Sequence, residues 1–192
     1  MRNNVKAIIP IAGWGTRLRP HTYSIPKVLL MTAGKPVLGH ILDRVKELGI
    51  KEVIFVIGHL QEAVQQYVHA QYDFKTHFVL QTQLGGLGAA ILLTKEYVNA
   101  DPVFIVLGDT IIDAQLAAGF EKDESFLGVK QVEDPRRFGV VCTQGEWITR
   151  LVEKPEKPVT NLAIVGVYYL KNSALLYDCL EKNTKEGKTT KG

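Results

Sequence analysis

The sequence predicts an α/β fold in which helices cover both faces of a mostly parallel sheet. Three strongly apolar runs, at residues 5–11, 53–57 and 103–107, have the composition of strands that are buried on both faces. The segments between them repeat apolar residues at helical spacing. Because strands and helices alternate, the strands are expected to run parallel to one another.

The first half of the chain alternates four strands with three helices. The strands are predicted at 5–11, 53–57, 76–80 and 103–107. The helices are predicted at 37–48, 60–70 and 88–98. Gly49 ends the first helix, and Gly58 and Gly108 follow two of the strands, so glycine marks the points where the chain turns.

From about residue 120 the pattern changes to strands that are joined by short loops. These strands are predicted at 125–130, 138–142, 148–152 and 162–170, with a hairpin turn at 144–146. They are expected to be antiparallel additions to the sheet. A last helix at 173–182 completes one domain over residues 1–182, and a polar tail follows at 183–192.

Composition excludes several classes of protein. The chain has 192 residues, of which 46% are hydrophobic and 22% charged, as in soluble globular proteins. A formal net charge of +3 with scattered lysines and arginines gives no nucleic-acid surface. No segment has transmembrane length, and the first apolar run is too short for a signal peptide. We therefore expect a cytoplasmic protein without a membrane partner, in which Cys142 and Cys179 are buried free thiols.

The loop at residues 12–17, here called the glycine loop, follows the first strand. Gly13 and Gly15 carry no Cβ, so a phosphate chain could lie against their backbone N–H groups. Arg17 and Lys27 add two positive charges, and together these groups predict a polyphosphate cradle. Asp109 follows a strand at the same expected edge and suits Mg²⁺ held between a carboxylate and phosphates. Taken singly, the glycines could be turn residues and Asp109 a helix cap.

Familiar motifs of other enzyme classes are absent from the sequence. A Walker loop is excluded because Lys27 lies too far along the chain from the glycine loop and the full pattern G-x-x-x-x-G-K-[ST] does not occur. A dinucleotide fingerprint is excluded because Leu18 stands where a third glycine is needed. No G-x-S-x-G elbow is present. The histidines show no metal-ligand spacing, which indicates core or surface positions; they are His21, His40, His59, His69 and His77.

Several collinear motifs resemble those of the sugar-1-phosphate nucleotidylyltransferases, which include glucose-1-phosphate thymidylyltransferases and uridylyltransferases. The resemblance covers almost the whole chain. It is carried by residues 12–22, Pro26-Lys27, Lys35-Pro36, Gln81, 86–90, 107–109, 138–141, 153–155 and 161–168.

The resemblance implies a Rossmann-like three-layer sandwich that joins a nucleoside triphosphate to a sugar 1-phosphate with Mg²⁺ and releases pyrophosphate. It implies catalytic roles for Arg17, Lys27 and Asp109, the last of which would hold the metal. The implied nucleotide-binding residues are Ala12, Gly13, Trp14, Gly15, Thr16, Gln81, Gly86 and Leu87. The implied sugar-phosphate residues are Gly139, Glu153, Lys154 and Asn161. Because the attacking phosphate oxygen is already anionic, such a site needs positioning and charge neutralisation rather than a strong base.

Some alternatives stay open from the sequence. Gly86-Leu87-Gly88 could simply begin a helix, and Glu153-Lys154-Pro155 could be a solvated strand end. The family's second metal-binding aspartate has no counterpart, so we expect a chain that lacks the family's C-terminal portion and whose own activity is open. UTP or dTTP and glucose 1-phosphate are the favoured substrates. A non-catalytic domain that binds an NDP-sugar, and a cytidylyltransferase for a non-sugar phosphate, are the alternatives; a homo-oligomer is also left open.

Overall fold

The computed structural model describes residues 4–83, 85–122 and 124–187. Within them the strands are β1 (Lys6–Pro10), β2 (Met31–Thr32), β3 (Lys35–Pro36), β4 (Glu52–Ile57), β5 (Lys75–Leu80), β6 (Val103–Val106), β7 (Phe126–Gln131), β8 (Gly139–Gln144), β9 (Trp147–Glu153) and β10 (Leu162–Leu170). The α-helices are α1 (Val37–Glu47), α2 (Gln61–Gln71), α3 (Gly86–Leu92), α4 (Lys95–Val98), α5 (Ala117–Glu121) and α6 (Ser173–Lys185). Short 3₁₀ turns lie at Thr16–Leu18, His21–Tyr23, Lys27–Leu29 and Pro135–Arg137.

One large sheet organises the chain, and its order is β5-β4-β1-β6-β10-β8-β9. Strands β5, β4, β1 and β6 pair in parallel. The other pairs of the sheet are antiparallel. One side of β10 pairs with β6 and then with β8, and its other side pairs with β7. The separate pair β2–β3 lies before α1. The predicted α/β class, with a parallel region and antiparallel additions in the second half, is confirmed.

Helices form a layer on each face of the sheet, because alternate residues of a strand point to opposite faces. Ala7 and Ile9 of β1 belong to the apolar cluster that α1 and α2 complete, and Phe120 of α5 packs against the same cluster. Ile8 belongs to the second cluster, which α3, α4 and α6 complete. This arrangement is the predicted three-layer sandwich, and its buried parallel strands hold the turns that follow them in fixed positions.

The third predicted helix, at 88–98, is interrupted in the structure. It forms two pieces, α3 and α4, on either side of a turn at Leu93-Thr94. The buried Thr94 hydroxyl donates to the Ile91 carbonyl at 2.7 Å and also bonds the Tyr177 hydroxyl at 2.7 Å. A side chain that bonds the backbone in this way competes with the helical ladder, so the helix breaks there.

Other differences from the sequence predictions are local. Helix α5 was not predicted, and α6 continues to Lys185, into the segment expected as a polar tail. Residues 188–192 of that tail lie outside the described residues. The prediction of two buried thiols is wrong: both cysteines are free, but Cys142 is partly exposed and Cys179 is exposed. Among the described helices, none combines the length and apolar character needed to cross a membrane.

Candidate active site

The predicted site residues follow strands whose carboxyl ends meet at one edge of the sheet. Gln81 follows β5, the glycine loop follows β1, and Asp109 comes shortly after β6. Since these strands are parallel and neighbour one another through β4, the turns after them share one edge. Ligands of open α/β sheets bind at this edge.

The glycine loop is bent at Gly15, whose φ of 60° lies in the left-handed region that favours glycine. The Thr22 hydroxyl donates to the Gly15 carbonyl at 2.9 Å, which fixes this bend. A Cβ at Gly15 would lie 3.0 Å from the Lys27 Cβ, so glycine also lets the loop approach Lys27 closely. The N–H groups of Gly13, Trp14 and Gly15 donate to no other described residue and are therefore available to an anion.

Two further glycines hold the base of the glycine loop against its neighbours. A Cβ at Gly58, after β4, would lie 2.7 Å from the Ala12 carbonyl oxygen. A Cβ at Gly108, after β6, would lie 2.4 Å from Ile11 Cγ2. Real Cβ atoms do not occur at such separations. Glycine therefore lets the Gly58 backbone approach the Ala12 backbone, and lets the Gly108 backbone approach the Ile11 side chain.

Lys27 and Asp109 form the central ion pair of this edge. The Lys27 Nζ donates to Asp109 Oδ2 at 2.5 Å, and both side chains are partly open to solvent. Val28 is buried beside Lys27 and anchors the 3₁₀ turn that carries the lysine. Arg17 is exposed on the turn at Thr16–Leu18, and its side chain pairs with no described acidic residue. The structure thus brings together the loop, Lys27 and Asp109, with Arg17 beside them on the adjoining turn.

The donor set at Asp109 suits a divalent cation that shares its ligands with phosphate. Magnesium in such sites is held by one or two carboxylates together with phosphate oxygens, and Asp109 supplies one exposed carboxylate. No group of three or more potential metal ligands occurs among residues 4–83, 85–122 and 124–187. A cation here would therefore depend on the phosphates of a bound nucleotide.

The residues predicted to read the base lie at the β5 end of the edge. Gln81 is buried and its N–H donates to the Ile57 carbonyl at 2.9 Å, which continues the β4–β5 pairing past the strand. Gly86, with φ 81°, begins α3, so this motif does start a helix. Leu87 packs against the core cluster that contains Ile91 and Tyr177. Leu87 therefore positions α3 against the sheet.

A second group of predicted residues gathers where β8 and β9 pair. Gly139 lies opposite Glu153, and a Cβ at Gly139 would lie 2.9 Å from Glu153 Oε2. The Lys154 Nζ lies 3.1 Å from Glu153 Oε1. Lys154 has φ 41° and its N–H donates to the Phe138 carbonyl at 3.1 Å. A positive φ at a residue other than glycine is uncommon, and such residues concentrate at functional sites.

This second group lies beyond the end of β6, on the side of the glycine loop. Val167 of β10 is opposite Val106, the last residue of β6, whereas Ala163 is opposite Val140 of β8. At about 3.3 Å per residue, β8 therefore meets β10 roughly 13 Å past β6. Asn161 is exposed just before β10, and its carbonyl accepts from the Val132 N–H at 2.9 Å. Both groups thus lie on the side of the sheet to which the carboxyl ends of the parallel strands point.

Comparison with known proteins agrees with this geometry. A sequence model of the nucleotidyl transferase family matches residues 6–191. The chain belongs to this nucleotidyl transferase family. It is 34% identical over 188 residues to the low-salt glycan biosynthesis nucleotidyltransferase Agl11 of Haloferax volcanii, covering 93% of this chain and 52% of Agl11.

Two further similar proteins are a curated relative and a solved structure. The UTP–glucose-1-phosphate uridylyltransferase AglF of Haloferax volcanii is 33% identical, and the match covers 91% of this chain and 75% of AglF. A crystal structure of UDP-glucose pyrophosphorylase complexed with UDP-glucose superposes with a TM-score of 0.79 at 26% identity, covering 92% of this chain and 78% of that one. The chain spans about half the length of several curated relatives that it matches.

Sequence reasoning missed two residues that the structure places beside the predicted groups. His59, after β4, stacks on Trp14 of the glycine loop. Tyr168 of β10 is half-buried, and burial, followed by the nearby charge of Glu153, raises the pKa of its phenol. The histidine is far from Trp14 in sequence, so no local motif signals the contact. Tyr168 lies within a motif of the resemblance but has no spacing that distinguishes it from a core tyrosine.

Proposed function

We propose that this chain transfers a nucleotidyl group from a nucleoside triphosphate to a sugar 1-phosphate and releases pyrophosphate. UTP or dTTP is the favoured nucleotide and glucose 1-phosphate the favoured acceptor. The observation that carries the proposal is the Lys27–Asp109 pair, 2.5 Å apart beside a glycine loop whose amides are available. The similarity to a UDP-glucose complex and to AglF supports the choice of substrates.

Charge neutralisation by this chain's own residues would favour the reaction. An oxygen of the sugar 1-phosphate attacks the α-phosphorus, the bond from that phosphorus to the bridging oxygen breaks, and pyrophosphate leaves with the electron pair. The amides from Gly13 to Thr16 would bind the triphosphate, with Arg17 on its β and γ phosphates and Lys27 near the α-phosphate. Positive groups that are fixed before the reaction stabilise the charge on the transferring phosphoryl group.

We further propose that Asp109 holds Mg²⁺ when the nucleotide is bound. A triphosphate beside Lys27 would bring its negative charges close to the Asp109 carboxylate, because the two side chains are in contact. Like charges at such a distance repel, and a divalent cation between them converts the repulsion into attraction. The ion supplies charge neutralisation of the phosphates and a fixed orientation for them.

The second group would bind the acceptor. Glu153 offers carboxylate oxygens to sugar hydroxyls, Asn161 offers an amide, and Lys154 would contact the sugar phosphate. Gly139 would leave room for the sugar beside Glu153, since a Cβ there would displace that carboxylate. At the other end of the edge, Gln81 and Gly86 would contact the base, with Ala12, Trp14 and Leu87 forming the rest of the nucleotide site.

A pyrophosphate-release panel tests this proposal. The chain is incubated with Mg²⁺ and each of UTP, dTTP, ATP, CTP and GTP, combined with several sugar 1-phosphates. We expect the fastest release with UTP or dTTP and glucose 1-phosphate, and no release when the sugar phosphate is omitted. Absence of release in every combination would overturn the enzyme proposal. If no release occurs, calorimetry with UDP-glucose separates two cases. A non-catalytic binding domain still binds UDP-glucose, whereas a chain without either function does not.

A further inference from the structure

Trp14 forms the tip of the glycine loop, and its indole is stacked on the imidazole of His59. The ring centroids are 5.0 Å apart and the planes differ by 10°. This is the offset-stacked geometry in which aromatic pairs attract one another. Trp14 is 50% exposed and His59 is exposed, so the pair lies on the surface and is not a by-product of core packing.

The stack holds the tip of the glycine loop, Gly13 and Trp14, which no other contact described here for the loop fixes in place. Ala12 is fixed by the close approach of Gly58, and Gly15 by the Thr22 hydroxyl. Between them, a Cβ at Gly13 would meet no atom within 4 Å. Gly13 and Trp14 donate no backbone hydrogen bond to another residue in the described part of the chain. The ring contact is therefore what ties the loop tip to the turn after β4.

The turn that carries His59 is itself constrained. His59 is followed by Leu60, whose φ of 59° lies in the left-handed region that leucine rarely adopts. Helix α2 begins directly afterwards at Gln61. Backbone conformations of this kind persist where the surroundings enforce them, and they concentrate at functional sites. The His59 ring is thus presented to the loop from a fixed turn.

The position of the stack along the sheet edge connects it to the nucleotide. The strand order β5-β4-β1-β6 places His59 and Trp14, after β4 and β1, between Gln81 and Asp109. One pocket on this edge is lined by Gly13, Trp14, Lys27 and His59 among others. A nucleotide with its base at Gln81 and its phosphates at Asp109 must therefore pass the stack.

We propose that the Trp14–His59 stack positions the nucleoside triphosphate by holding the amides of the glycine loop in their binding arrangement. This inference rests on the proposed function and adds His59 to the nucleotide site as a positioning residue that acts through Trp14. The nucleotide then binds to a loop that has already lost its freedom, and the affinity gains from that preorganisation. The acceptor sugar, which meets the β8–β9 group, is not affected.

Nucleotide affinity in a single-tryptophan background tests the inference. Trp14 and Trp147 are the two tryptophans of the chain, so Trp147→Phe leaves Trp14 as the fluorescent reporter. In this background His59→Ala should raise the Kd for UTP about three- to tenfold, the size of one aromatic pair. His59→Phe, which keeps a ring, should stay within about twofold. The matched control is His69→Ala, which removes an exposed histidine of α2 that packs on Phe78.

Two further readouts separate positioning from a general structural effect. In steady-state kinetics His59→Ala should raise the KM for UTP and leave the KM for glucose 1-phosphate unchanged. Without any nucleotide, acrylamide should quench the Trp14 fluorescence more strongly in Trp147→Phe/His59→Ala than in Trp147→Phe, because the stacked imidazole covers one face of the indole. The Trp147→Phe/His59→Phe protein, which keeps a ring at residue 59, should be quenched no more strongly than Trp147→Phe.

The outcomes distinguish this inference from the proposed function. If the Trp147→Phe protein binds UTP and His59→Ala leaves the Kd unchanged, the inference is overturned and the proposed function stands. Equal acrylamide quenching of Trp14 in Trp147→Phe and in Trp147→Phe/His59→Ala would also overturn it, since the rings would then be apart in solution. If neither the unmodified chain nor Trp147→Phe binds any nucleotide, both the inference and the proposed function are overturned.

Discussion

The Nζ of Lys27 lies 2.5 Å from Oδ2 of Asp109, although the two residues follow different strands of the sheet. A neighbour in the sequence anchors each of them. Val28, next to Lys27, is buried, and Gly108, next to Asp109, packs closely against the Ile11 side chain. The pair therefore places one cation and one anion at the same point before any ligand arrives. We propose that this arrangement holds a phosphate at Lys27 and a divalent cation at Asp109 side by side, so that both charges are needed.

Replacement of Asp109 should remove most of the turnover. Asp109→Ala and Asp109→Asn both delete the charge that would hold the metal, and we expect kcat to fall by about 10²-fold or more, as when one electrostatic contact to a transition state is lost. Pyrophosphate release at limiting Mg²⁺ measures the effect. The control is Asp113→Ala, which removes a fully exposed carboxylate from the same loop between β6 and α5. A near-normal rate in Asp109→Ala at limiting Mg²⁺ would refute the role.

Alanine substitutions at the two loop glycines should separate folding from binding. A Cβ at Gly13 meets open space, and the φ of Gly13 lies outside the left-handed region, so Gly13→Ala should leave the melting temperature unchanged. We expect weaker UTP binding, because the proposed triphosphate would lie against this part of the loop, where the new methyl group would stand. Gly15→Ala, by contrast, is strained and presses on Lys27 and Thr22, and should cost about 1–3 kcal/mol of stability. Thermal melts and calorimetry check both. Tight UTP binding by Gly13→Ala would contradict a phosphate contact there.

Gly139→Ala should affect the acceptor sugar selectively. Its Cβ would lie 2.9 Å from Glu153 Oε2, so the carboxylate must turn away from its present position. Loss of one hydrogen bond to a charged group predicts a rise of about tenfold in the KM for glucose 1-phosphate. The KM for UTP should not change. Glu146→Gln in the same hairpin, where Glu146 pairs with Lys122, is the control for a general disturbance of β8 and β9. Equal changes in both KM values would contradict the assignment.

The pattern of apolar residues was sufficient to predict most of the fold, because a strand that is buried on both faces has a continuous apolar run. The runs at 53–57 and 103–107 are apolar throughout, and in the structure they are central strands packed on both faces. The break at Thr94 was not predictable, because it depends on a hydroxyl that meets Tyr177 from the opposite end of the chain. Helix α5 is a single short piece containing Gly119, and such pieces have no periodic signal.

Part of the candidate site could be predicted from the sequence, and part could not, because only some of its residues belong to local motifs. The glycine loop, Lys27 and Asp109 are recognisable because each belongs to a short motif, and their meeting follows from parallel strands sharing an edge. Contacts between the ends of different strands leave no such pattern. The stack of Trp14 on His59, and the proximity of Tyr168 to Glu153, arise from the register of the sheet and were visible only in the structure.

A network of charged residues lies at the amino ends of the parallel strands, opposite the candidate site, and is centred on Glu52 at the start of β4. Glu52 accepts from His77 Nε2 at 2.8 Å and from Lys75 Nζ at 3.2 Å, and it lies 3.6 Å from the buried Lys6. Burial alone would raise the pKa of the Glu52 carboxyl, but the hydrogen bonds from His77 and Lys75 and the charge of Lys6 hold the pKa below its usual value. The folded state therefore favours the ionised carboxylate.

This lowered pKa predicts how stability depends on pH. The contribution of Glu52 is complete above the unfolded-state pKa of about 4.3 and is lost as the pH falls through the lower folded-state value. Glu52→Gln should cost about 1–2 kcal/mol near neutral pH, and the difference from the unmodified chain should shrink as the pH falls below the unfolded-state pKa and through the lower folded-state value. Urea titrations at pH 7, 5, 4 and 3 measure the difference, with the exposed Glu156→Gln as control. A difference that stays constant across this range would mean that the Glu52 charge does not stabilise the fold.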